Sequence, residues 1–197
     1  MFWRGRGRTA STAVVVPFDA DRHAVEAAKK DPVAFEQLYR KYVAQIYSLA
    51  LYETRDPHAA EDITEGVFLR ALAALHRFRE QGEGDDSTFR VWLYAIARNV
   101  IANERRRQQR HPQDPLELAI GLRSPEDPAA AAETRLEAER ALEAVMELPA
   151  ERRQAVILRF VNELSAREIG EIMGKSEGAV RVLIHRALVS VRQRLAS

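Results

Sequence analysis

From His111 to Thr134 the chain reads HPQDPLELAIGLRSPEDPAAAAET, and Pro112, Pro115, Pro125 and Pro128, four of its eight prolines, fall inside that stretch. Proline removes a backbone donor and pushes the residue before it out of the helical region. No helical or strand period survives across the segment. The chain is therefore expected to fold as two units, residues 25–111 and 135–197, joined by a flexible linker at 112–134. Residues 1–24 are expected to form a tail.

Within each unit the dominant signal is an apolar spacing of three and four. Phe35, Leu38, Tyr42, Ile46 and Leu49 predict an amphipathic helix. Asp31 followed by Pro32 opens it, and Asp56-Pro57 interrupts it. Ile63, Val67, Phe68, Ala71, Leu72 and Leu75 predict a second helix, with Gly66 inside it at a cost of about 1 kcal/mol relative to Ala. The polar loop EQGEGDDS follows. Asp86 or Ser87 then caps a third helix that turns Phe89, Leu93, Ile96 and Val100 toward a core, with Trp92 packing beside them and a basic end at Arg105, Arg106, Arg107 and Arg110. Beyond the linker the spacing predicts helices over 135–147, 150–162, 166–173 and 177–195. There is no long strand signal and no internal repeat. The fold class is all-α, two small helical domains.

Thirty basic residues face twenty-nine acidic ones, for a formal net charge of +1. No global field draws such a chain to nucleic acid, so any binding must come from local patches. Two local imbalances exist. Seven acids against Arg123 and Arg135 give −5 over residues 112–139, and four Arg against Glu177 give +3 from Ser176 onward. Cysteine is absent, which excludes disulfides and thiolate metal sites and suits a reducing compartment. The apolar run at 13–18 is too short for a signal-peptide core or a bilayer span, so no membrane insertion is expected.

The stretch LSAREIGEIMGKSEGAVRVLIHRAL, from Leu164 to Leu188, has the layout of a helix-turn-helix. Ser165 and Glu168 form a capping box, Gly174 takes the turn, and Ser176 caps the second helix. Val180, Ile184, Leu188 and Val191 are expected on its inner face. Glu177, Gly178, Arg181, His185 and Arg186 are then free to meet a major groove.

Three blocks in this order and at these spacings carry a resemblance: AEDITEGVFLRAL at 60–72, FRVWLYAIARNVIANERRR at 89–107, and 148–188, which contains the helix-turn-helix. The chain resembles the extracytoplasmic-function (ECF, group IV) sigma factors of the sigma-70 family of bacterial RNA polymerase. The resemblance implies a region 2 domain at 25–111 that binds core RNA polymerase and the melted −10 element. It implies a region 4 domain at 135–197 that reads the −35 duplex. Carried over residue by residue, it assigns Asp62, Glu65 and Arg70 to polymerase. It assigns Asp86, Ser87, Phe89, Arg90, Arg98, Asn99, Asn103, Arg106 and Arg107 to the −10 strand. Lys175, Ser176, Glu177, Gly178, Arg181, His185 and Arg186 go to the −35 duplex. Gly66 stands where the family usually keeps a Glu, and Val182-Leu183 where it often has Ser-Arg. The partners implied are core polymerase, promoter DNA and an anti-sigma factor, in the cytoplasm, with no cofactor, no metal and no further C-terminal domain. The acidic linker would stand in for nucleic acid in the polymerase cleft.

Two rivals differ in class. A helix-turn-helix regulator acting without polymerase would need a sensor or dimer domain, and residues 31–110 show no strand-helix alternation for a receiver. A helical metal enzyme would need Glu-x-x-His pairs, and none of the five histidines has an acid three residues before it. Catalytic motifs are likewise missing, so no enzymatic activity is expected.

Overall fold

The computed structural model describes residues 20–81, 88–110 and 128–196, which are helical with no strand among them. Helix α1 (Ala20–Lys30) lies partly in the stretch expected to be a tail. It buries Asp21, Ala24, Val25 and Ala28. Its apolar stripe is mostly alanine, which barely registers in a hydrophobic period, so the sequence pattern conceals it. Asp21 accepts hydrogen bonds from the Lys41 ammonium at 2.6 Å and from the Tyr42 hydroxyl, which ties α1 to the next helix.

Helix α2 (Phe35–Thr54) follows a single 3₁₀ turn whose cap is Asp31, with Pro32 just inside it. Helix α3 (Pro57–Ala74) is capped by Asp56, which accepts from the His58 and Ala59 amides. The aspartate-proline pairs thus act as starts, because proline at the first helical position gives up an amide that has no intrahelical partner. Helix α4 (Phe89–Arg110) completes the N-terminal unit. Phe35, Leu38, Tyr42, Ile46 and Leu49 are all buried, as their spacing predicts, and so are Ile63, Val67, Phe68, Ala71 and Leu75. Leu72 is not; it is 38% exposed.

Helix α5 (Pro128–Met146) begins inside the expected linker, where proline at the start and a run of alanines favour helix. Helix α6 (Ala150–Val156) passes into a wider π turn (Ile157–Val161) instead of continuing as one regular helix. The Leu164 amide then bonds the Leu158 carbonyl at 3.0 Å, which closes the turn. Helix α7 (Ala166–Met173) carries the complete capping box. The Glu168 amide donates to Ser165 Oγ at 3.2 Å, and the Ser165 amide donates to Glu168 Oε2 at 2.7 Å. Gly174 takes the left-handed turn at φ 66°, and Ser176 caps α8 (Glu177–Leu195). The inner face of α8 is Val180, Ala187 and Val191, with Leu183 and Ile184 partly buried. Leu188, expected inside, is 43% exposed. One residue on from Ala187 is a 100° rotation, which carries it off the buried stripe.

The two units are not separate lobes in this structure. One continuous core contains Tyr42, Leu93, Tyr94 and Ala97 of the first unit with Ile157, Leu164, Ile169 and Val180 of the second. A smaller cluster, Ala144, Leu148, Val156, Ala187 and Val191, holds α5 and α6 against α8. In this structure the two units expected from the sequence pack on each other. Helix α4 buries Phe89, Leu93, Tyr94, Ala97 and Ile101 along one stripe, and α7 packs on it in addition to α2 and α3.

Close backbone approach in the helix-turn-helix centres on Gly170. A Cβ there would sit 2.7 Å from the Lys175 carbonyl oxygen, a rigid backbone atom. Gly170→Ala should therefore destabilise the protein by about 2 kcal/mol despite the better helix propensity of alanine. Thermal or urea unfolding measures this, and an unchanged midpoint would contradict it.

Candidate nucleic-acid interface

Helix α8 presents Glu177, Gly178, Arg181, His185 and Arg186 to solvent, together with its cap Ser176. The buried stripe faces α6 and α7, so the polar set is aimed outward by packing alone. Arg181 Nη2 pairs with Glu177 Oε1 at 2.5 Å on this exposed face. A pair of this kind is worth about 0.2–0.5 kcal/mol, too little to hold Arg181 back from a phosphate or a base edge. Lys175 is placed differently. It is half-buried, and its ammonium reaches Glu151 of α6 at 3.2 Å, which makes it a brace for the turn.

The residues assigned to the −10 strand divide into three groups. Asp86 and Ser87 lie outside the described residues. Asn99, Asn103, Arg106 and Arg107 are exposed along the outer side of α4. Arg106 donates to Asn103 Oδ1 at 3.0 Å, and Arg107 pairs with Glu104 at 2.9 Å, so the face is preordered by local contacts. Phe89, Arg90 and Arg98 face inward. Phe89 has no exposed surface and packs against Tyr42, Phe78 and Trp92, with ring centroids 5.6–5.9 Å apart. In this packing its ring cannot reach a strand. Trp92 belongs to the same aromatic cluster, as a packing residue.

Arg90 and Arg98 are engaged by the C-terminal unit. Arg90 Nη2 donates to the Asn162 carbonyl at 2.7 Å, and its Nη1 stands 3.5 Å from Glu168 Oε1. Arg98 donates to Gln154 Oε1 at 3.3 Å and to the Ile172 carbonyl at 3.5 Å. Asn162, itself buried, donates to the Gln45 carbonyl at 3.0 Å. A charged triad adjoins them. Glu53 is buried and pairs with Arg105 of its own unit, while Arg153 of the second unit approaches it at 3.9 Å. Burial pushes the Glu53 carboxyl up from its ordinary range against the pull of both guanidinium groups. Burial, reinforced by the nearby Arg105, pushes Arg153 down. Burial also raises the Tyr94 phenol, to about 12, so it stays neutral where it donates to Gln45 Oε1.

Asp62, Glu65 and Arg70 are exposed on α3 but open onto two grooves. Asp62 and Arg70 line a shallow one between α3 and α4, with Gly66, Asn103 and Arg107. Glu65 rims an apolar one between α2 and α3, lined by Val33, Tyr39, Phe68, Leu69 and Leu72. Val33 is 75% exposed and Leu69 59%, unusual for side chains of that size. A signal existed, since Val33, Tyr39 and Leu69 are apolar yet fall off the buried stripes.

Comparison with known proteins assigns the family. Residues 38–111 match Sigma-70 region 2, and residues 138–191 match Sigma-70, region 4. The chain is 35% identical over 159 residues to the ECF RNA polymerase sigma factor BldN of Streptomyces coelicolor, covering 79% of this chain and 58% of that one. It is 32% identical over 178 residues to the ECF RNA polymerase sigma factor SigM of Mycobacterium tuberculosis, covering 90% of this chain and 83% of that one. Among solved structures, CnrH bound to the cytosolic domain of CnrY shares the fold, with a TM-score of 0.66 at 23% identity over 90% of this chain and 97% of that one. RpoE of Bartonella quintana with the anti-sigma factor NepR does so at 0.62 and 19%, over 82% of this chain and 96% of that one. Fold and relatives together define a transcription initiation factor that works with RNA polymerase and is not an enzyme. The chain belongs to the ECF sigma factors of the sigma-70 family.

The gap at Gly66 can be probed directly. A Cβ there would meet Arg70 Nη1 at 3.3 Å and Val100 Cγ1 at 3.9 Å. The closer atom is the movable end of an exposed side chain, so helix propensity should win. Gly66→Ala should stabilise the chain by about 0.5–1 kcal/mol, read as a higher melting temperature. A lower one would mean that the α3–α4 groove is tighter than its geometry indicates.

Proposed function

We propose that residues 25–111 and 135–197 divide promoter recognition between them. In the first unit Asp62, Glu65 and Arg70 dock on core polymerase. Asn99, Asn103, Arg106 and Arg107, joined by Arg90 and Arg98, then track the melted −10 strand, whose phosphates a basic face attracts and whose unpaired bases can be read. In the second unit α8 enters the major groove of the −35 duplex through Arg181, His185 and Arg186. Polymerase supplies the chemistry. The observation that carries this reading is the outward face of α8, basic and exposed on a capped helix whose other face is buried. Phe89 shapes the start of α4 and does not touch DNA in this assignment. Lys175 supports the turn.

A regulatory protein partner fits as well. Both fold neighbours described above were solved as complexes, with CnrY and with the anti-sigma factor NepR. We extend this to a dedicated anti-sigma factor for the present chain. Among the described residues no helix is long and apolar enough to cross a membrane, and the site of action is the cytoplasm, where promoters and polymerase meet.

Transcription in vitro with core polymerase on a promoter library tests the assignment. Addition of the chain should create new start sites, and Arg186→Ala should weaken use of its −35 element tenfold or more, in line with roughly 1–3 kcal/mol per specific arginine contact. Footprinting of duplex DNA by the chain alone, with no dependence on polymerase, would favour the helix-turn-helix regulator instead.

A further inference from the structure

The outward face of α8 carries one side chain that neither charge nor core packing accounts for. Val182 is 48% exposed. A lone exposed valine is ordinary on a protein surface, so its place decides what it signifies. Two residues on from the buried Val180 is a rotation of about 200°, which points Val182 almost directly away from the core. It stands at the crest of the face that carries Arg181, His185 and Arg186, all of them exposed. His185 and Arg186 follow one turn later, one to each side of it. Val182 also belongs to the N-terminal half of a helix that opens at Glu177, the half that meets base edges when such a helix enters a major groove.

The residue one turn earlier is Gly178, and a Cβ placed there would meet nothing within 4 Å. Helix side chains lean toward the N-terminus, so Val182 leans over Gly178. Glycine offers no side chain to shield the valine methyl groups from that direction. The two residues form a shallow apolar notch, floored by backbone and walled by valine, inside a polar and basic frame. Valine is branched at Cβ and strongly prefers one rotamer in a helix, so the wall is set before any ligand arrives.

In the major groove most base-edge groups are hydrogen-bond donors and acceptors, and a valine laid over one of them leaves it unpaired. The C5-methyl group of thymine is the apolar feature of that surface. An apolar notch between cations thus suits an A·T pair and disfavours a G·C pair at the position it covers.

We infer that Val182, with Gly178 beneath it, is a specificity-determining contact that selects a thymine of the −35 element by its methyl group. The inference rests on the −35 role proposed above for α8. Arg186 is four residues on, about 6 Å along the helix axis. The thymine therefore lies within about two base pairs of the base that Arg186 reads, at about 3.4 Å per base pair.

The test uses the full chain bound to core polymerase and a −35 element selected from the promoter library. Each thymine of the element, on either strand, is replaced singly by deoxyuridine, which removes the methyl group and keeps every hydrogen-bonding group. One replacement should weaken binding of the complex about fourfold, the size expected for burying one methyl group. With Val182→Ala the thymine and deoxyuridine promoters should bind alike. Val189→Ala, at another exposed valine two turns further on, should keep the fourfold difference. Both positions are exposed and alanine is the better helix former, so neither variant threatens the fold.

Absence of any methyl-sensitive thymine overturns the contact. So does a methyl preference that survives in Val182→Ala, or one that disappears equally in Val189→Ala. The role of α8 is read separately, through Arg186→Ala on the unmodified promoter. If that variant weakens use of the −35 element while no thymine is methyl-sensitive, the valine contact alone fails. If Arg186→Ala and Val182→Ala both leave the element's use unchanged, the assignment of α8 to the duplex fails and the valine contact fails with it.

Discussion

Helix α4 is covered from two sides, and the rest of the structure is arranged around that fact. Phe89, Leu93, Tyr94, Ala97 and Ile101 are all buried on a helix of twenty-two residues whose far end is basic. A helix in a three-helix unit needs one apolar stripe against its neighbours and leaves the opposite face to water. Here α7 packs along the flank of that stripe, while the π turn after α6 packs on α2. The C-terminal unit gains a core partner, and Arg90 and Arg98 are taken up by its contacts.

The polar groups at this junction give it specificity more than strength. Arg90, Asn162 and Gln45 form a chain of contacts that can be made in only one register. The Glu53–Arg105–Arg153 triad is held where burial opposes the charges on Glu53 and Arg153. Buried ion pairs rarely add net stability over apolar packing, while removal of one member leaves a stranded charge. A junction built this way is selective about its geometry. The apolar cluster of Ala144, Leu148, Val156, Ala187 and Val191 lies elsewhere and holds α5 and α6 against α8.

The outward surfaces follow from the same arrangement. The polar side of α8 lies away from its buried stripe and stays exposed. The outer side of α4 keeps Asn99, Asn103, Arg106 and Arg107 accessible. The set proposed for the −10 strand is thus divided, with Arg90 and Arg98 engaged by the C-terminal unit. On α3 the residues assigned to polymerase open onto two grooves, one mixed in charge and one apolar with an acidic rim, so a single helix can present two kinds of surface to a large partner.

Local features were legible in the sequence. Starts at Asp31, Asp56, Ser165 and Ser176, the turn at Gly174 and the buried stripes of α2 and α3 each depend on residues within a few positions of one another, so spacing is enough to read them. Helix α1 and the first turns of α5 escaped notice because alanine makes helix without marking a face. Leu188 shows the limit of a stripe: it turned outward while Phe89, expected at a core, is wholly buried, since the exact phase of burial depends on which helix packs where. Only the tertiary structure decided that α4 is shared by both units, that Gly170 must lack a side chain, and that Arg90 and Arg98 rest on Asn162, Glu168 and Gln154. The contacts of Arg90 and Arg98 join positions 56 to 78 residues apart, and no local pattern encodes a partner at that distance. Periodicity reports which face of a helix avoids water; it does not report what covers that face.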